Sequence, residues 1–167
     1  MQPWGQFYTA IGTAAAALLG LLFVVVSINV SVTLGPEAVV SKRLLEQAFQ
    51  NYLAVMLVAF LALFPGMSTV TFGLVTLLAT ATWSAWGVIR FCQTLVLHVK
   101  QRSWRYSLRR HISSGVGFGI LLFAAFRMAL GWDDSFNLFA AATLVLLFSA
   151  TAVSWELLKR IAGEPSG

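Results

Sequence analysis

Apolar residues run along this chain in long blocks, separated by short polar or basic stretches. A helix needs about 20 mostly apolar residues to cross about 30 Å of hydrocarbon. Five blocks meet that length, at about 8–34, 46–64, 69–92, 112–130 and 136–158. Pro65-Gly66 closes the second block and Gly131 the fourth. The short connections 65–68 and 131–135 predict antiparallel hairpins. Backbone in lipid must satisfy its own hydrogen bonds, so helix is the reading for every block. The pattern predicts a single membrane domain over 1–167. Its expected fold is an all-α five-helix transmembrane bundle with a cytoplasmic basic loop at 93–111.

Composition points the same way. The chain is 59% hydrophobic and only 10% charged, against about 25% charged residues in soluble chains. Mean hydropathy is +0.82. The first ten residues, MQPWGQFYTA, hold no Lys or Arg, and the apolar stretch after them is too long for the h-region of a secretory signal. It reads as a retained span.

Charge sets the expected orientation. Ten of the eleven cations (Lys42, Arg43, Arg90, Lys100, Arg102, Arg105, Arg109, Arg110, Lys159 and Arg160) fall on one side of a five-span arrangement. Arg127 falls towards the other side, with Asp133 and Asp134. By the positive-inside rule the cation-rich side is cytoplasmic, which puts the N-terminus out and the C-terminus in. Trp4, Tyr8, Trp104, Tyr106, Trp132 and Trp155 lie near the expected interfaces, where an amphipathic ring is favoured.

The third block carries the most regular polar feature. Thr69, Gly73, Thr76, Thr80, Ser84 and Gly87 recur at spacings of 4, 3, 4, 4 and 3. They share one helix face about 27 Å long, and Arg90 continues it. Such a face can line a water-filled path at the axis of an oligomer, with Arg90 as a positive ring at the inner mouth. It is also what close helix packing requires, because Gly, Ser and Thr let backbones approach. In the first block Gly12, Ala16 and Gly20 form a similar ladder, and Asn29 is expected to hydrogen-bond another helix. Asn29, Glu46, Gln50 and Asn51 together suggest a polar vestibule facing the cytoplasm, or else a solvated helix start.

Lys100, Arg102, Arg105, Arg109 and Arg110 suit anionic lipid headgroups on the cytoplasmic side. Nucleic acid is not an expected partner, since binding it needs far more basic surface. His98 and His111 flank the basic run without further ligands at metal spacing, so neither a metal nor a cofactor is expected. The sole cysteine, Cys92, excludes an intrachain disulfide. G-x-S-x-G, H-E-x-x-H, C-x-x-C and the P-loop are all missing, and no Asp or Glu falls at mid-depth. The chain is therefore not expected to be an enzyme.

The segment GTAAAALLGLLFVVVSIN (Gly12–Asn29), with Pro65-Gly66 after the second block, resembles a family of small bacterial inner-membrane proteins. Those proteins share a first helix of the form AALLGLLFV-x-VSIN, and some are labelled modulators of a membrane-bound protease. The resemblance covers roughly the first half of the chain and implies the bacterial cytoplasmic membrane. From the residues themselves, two functions are open, and the first is the one expected. One is an oligomeric channel for ions or small solutes, lined by the Thr69–Arg90 face. The other is a non-conducting regulatory or accessory membrane subunit. A homo-oligomer is expected, because the small-residue faces offer more packing surface than one copy needs.

Overall fold

A computed structural model describes residues 2–34, 38–98, 104–132 and 135–163; for 2–3, 32, 34, 86–98 and 104–113 it describes the helical backbone alone. The described residues form helices and short turns, without strands. The elements are α1 (Gln2–Ile28), α2 (Val30–Leu34), α3 (Val39–Leu63), α4 (Thr69–His98), α5 (Trp104–Ala129) and α6 (Phe136–Ile161). Among the described residues, three helices, Trp4–Ile28, Val39–Leu63 and Phe136–Ile161, are long and apolar enough to cross a membrane. Thr69–Ala85 and Ser114–Ala129 are shorter apolar stretches.

Several boundaries differ from the expected ones. The first block splits at Asn29, whose Nδ2 donates to the Val25 carbonyl at 3.0 Å, and Val25 also accepts from the Asn29 N–H at 3.2 Å. A side chain that competes for its own backbone interrupts the helix locally. Helix α3 starts at Val39 rather than near 46, since Ser41, Lys42 and Arg43 are no obstacle to helix. The stretch expected as a basic loop is largely helical, with α4 reaching His98 and α5 beginning at Trp104.

The helix ends follow from local chemistry. Ser68 Oγ accepts the Thr71 N–H at 3.1 Å, a side-chain cap for α4. Helix α5 ends in a Schellman motif: Trp132 N–H donates to the Arg127 carbonyl at 3.2 Å and Gly131 N–H to Met128 at 3.0 Å. Gly131 supplies the left-handed residue this motif needs, at φ +85°.

The chain packs as two compact units, Met1–Leu63 with Leu146–Gly167, and Phe64–Val145. In the first, α1 and α2 pack along α3. Gly12 makes the close approach, since a methyl there would lie 2.9 Å from Ala59 Cβ. Ala15, Leu44, Ala48, Val55, Val153 and Leu157 are fully buried in this unit. In the second, α4 packs along α5. Phe72, Met128 and Phe139 form its large buried side chains, with the Phe72 and Phe139 ring centroids 4.9 Å apart, edge to face.

Candidate functional site

The most regular polar feature lies within the second unit, on α4. Gly73 is seated directly on α5: a methyl group at this position would fall 2.5 Å from the Ala129 nitrogen and 3.0 Å from Met128 Cβ. Only a residue without Cβ permits that approach. One and two turns further on, Thr76 is fully buried and Thr80 nearly so, at 0% and 4% exposure. Thr69 and Ser84 are half-buried. Gly73, Thr76 and Thr80 are therefore buried along one face of α4. Gly87 and Arg90 lie on α4 where the backbone alone is described.

The hydroxyls on this face are not equivalent. Thr80 Oγ1 donates to the Thr76 carbonyl at 2.6 Å. Thr76 Oγ1 and Ser84 Oγ are buried atoms with no protein hydrogen-bond partner. Ala124, Ala125 and Leu121 of α5 are fully buried in the same unit, and Thr143 is buried with its hydroxyl bonded to the Ala140 carbonyl at 2.9 Å. Residues 69–85 contain no charged side chain. This arrangement can hold small neutral hydrogen-bonding groups; it offers no acid or base.

A second polar group lies in the first unit. Asn51 Nδ2 donates to Ser149 Oγ at 3.2 Å, and Tyr52 Oη pairs with Ser154 Oγ at 3.4 Å. Gln47, Asn51, Tyr52 and Ser149 are all buried. The residues of the expected vestibule differ in their surroundings. Asn51 is inside the unit, Gln50 is half-buried, Glu46 is exposed, and Asn29 bonds back to Val25 of its own helix. Sequence reasoning missed Ser149 and Ser154 as the partners. Both lie on apolar α6 at positions that face α3, and that placement alone could have pointed to them.

The remaining candidates scatter. Arg127 sits over the Trp132 ring, its guanidinium carbon 4.6 Å from the ring centroid. Asp133 and Asp134 lie outside the described residues, as do Lys100 and Arg102. Arg105, Arg109, Arg110 and His111 are on α5, and His98 ends α4, again with the backbone alone described. Glu156 makes a local ion pair on α6, with Arg160 Nε 3.6 Å from its Oε1. In the small-residue ladder of α1, Gly12 is packed, whereas Ala16 and Gly20 are exposed and Gly20 has open space around it. Gly115 and Gly119 of α5 are also exposed and open.

No family model, curated protein or solved structure matches this chain.

Proposed function

We propose that this protein is a multi-pass subunit of the bacterial cytoplasmic membrane, N-terminus out and C-terminus in, that acts by packing against another membrane protein without conducting. The observation that carries this reading is the seat of Gly73 on Met128 and Ala129. It engages α4 inside the chain at Gly73, which supports a packing role for this part of the face. What the chain presents outward is apolar, including Leu21, Leu78, Phe126, Phe148 and Trp155. Gly115 and Gly119 form a Gly-x-x-x-Gly spacing with open surroundings, suited to close approach by a second helix. The basic run from Lys100 to Arg110 would rest on anionic headgroups of the cytoplasmic leaflet.

Gentle solubilisation of native membranes and purification through a C-terminal tag tests this. A stoichiometric partner, lost in Gly115→Leu and Gly119→Leu variants that still insert and fold, supports it. Recovery of this chain alone counts against it.

The conducting reading has one observation in its favour. Thr76 Oγ1 and Ser84 Oγ are buried without protein partners, as hydroxyls awaiting water or solute would be. In that case a homo-oligomer whose α4 parts from α5 would line a path with Thr69, Gly73, Thr76, Thr80, Ser84 and Gly87, with Arg90 at its mouth. Stepwise conductance in planar bilayers, blocked by Thr80→Trp, would establish it in place of the accessory role.

A further inference from the structure

Helical threonines ordinarily return their hydroxyl to a carbonyl one turn back. Among the described residues, these do so: Thr9 to Gly5, Thr33 to Asn29, Thr80 to Thr76, Thr82 to Leu78, Thr143 to Ala140 and Thr151 to Leu147. Thr76 is different. It is wholly buried and its Oγ1 has no protein partner; the Oγ of half-buried Ser84, on the same face, is likewise a buried atom without one. A buried hydroxyl with no partner in the protein calls for one from outside it.

The chemistry of the face limits what that partner is. Each hydroxyl offers one proton and two lone pairs. Thr80 has given its proton to the Thr76 carbonyl and keeps lone pairs to accept with. No charged side chain lies on 69–85 to balance an ion. Residues four apart on a helix face stand about 5–6 Å from one another, the span of a single bridging water. A water between Thr76 and Thr80 would accept from Thr76 Oγ1 and donate to Thr80 Oγ1. A second would do the same between Ser84 and Thr80. At Gly73 the approach of α5 leaves no room even for a methyl group, so the line ends there.

We propose that this face of α4 is a water-binding site: a blind, hydrated ladder of Thr76, Thr80 and Ser84, closed at Gly73. The ladder is independent of the accessory role and requires no second copy of the chain.

Water-edited solid-state NMR of the full chain in lipid bilayers tests it. Thr143, equally buried but with its hydroxyl bonded to Ala140, is the dry reference. At short mixing times Thr76 and Ser84 should receive water magnetisation at least about twofold more strongly than Thr143. Thr76→Val should also weaken the transfer to Thr80, and Thr76→Ser should retain it. Transfer to wild-type Thr76 as slow as to Thr143 would overturn the proposal, placing the hydroxyl instead on the Phe72 carbonyl. An unchanged Thr80 signal in a folded Thr76→Val variant would overturn the ladder.

Discussion

Asn51 Nδ2 and Ser149 Oγ meet at 3.2 Å across 98 residues of sequence, each side chain almost wholly buried. The bond ties α3 to α6, and Tyr52 with Ser154 lies beside it. In an apolar unit, such a polar contact fixes which helix faces meet, because the amide has no water to turn to.

A double-mutant cycle of Asn51→Ala and Ser149→Ala measures that bond. Interhelical hydrogen bonds between membrane helices couple by about 0.6 kcal/mol on average, and a value of that order is expected here. Unfolding of the purified protein in mixed micelles provides the readout. Strict additivity of the two substitutions would mean that the pair contributes shape alone.

The glycines separate into two kinds, which substitution should distinguish. Gly73→Ala would bring its methyl to 2.5 Å from a backbone nitrogen that cannot turn aside, at an overpacking cost of about 1–3 kcal/mol. A methyl group at Gly20 would meet nothing within 4 Å. Gly20→Ala should therefore be neutral, or stabilising by up to about 1 kcal/mol through helix propensity. Thermal unfolding of both variants checks the ordering.

Gly131 and Trp132 close α5 together. Gly131→Ala forces a side chain into φ +85°, at a cost of about 1–2 kcal/mol. Its main effect should be fraying of the last turn, visible as faster amide exchange at Gly131 and Trp132, whose N–H groups donate to Met128 and Arg127.

Trp132 also gives Arg127 a ring face 4.6 Å from its guanidinium carbon. Trp132→Ala should cost about 0.5–1 kcal/mol, as expected for a cation–π contact at a partly exposed site. Trp132→Phe should restore part of it. Equal losses in the two variants would assign the effect to packing rather than to the ring face.

Much of this architecture is legible in the residues, and the reasons for the exceptions are specific. Block length and Pro65-Gly66 locate α3 and α4, since hydrophobicity and a turn signal act locally. The 4-3-4-4-3 spacing brings Thr69 to Ser84 onto one face for the same reason. Spacing alone leaves open whether that face meets a symmetry axis or a neighbouring helix, because both favour small residues; at Gly73 it lies against Ala129 of α5. Asn29 has the chemistry to bridge helices, yet its amide reaches Val25 more cheaply, one turn away. The pairing of Asn51 with Ser149 depends on the register of helices distant in sequence, which no local pattern encodes.

Gly73 meeting Met128 of the same chain is the contact on which the rest depends most. Carbon–carbon correlation spectra of the intact protein in bilayers measure this, comparing a fully labelled sample with one diluted in excess unlabelled copies. A Gly73–Met128 cross-peak that keeps its relative intensity on dilution is the predicted result. A cross-peak that vanishes on dilution, or that links only differently labelled copies, would place the α4 face between subunits and contradict the intrachain seat.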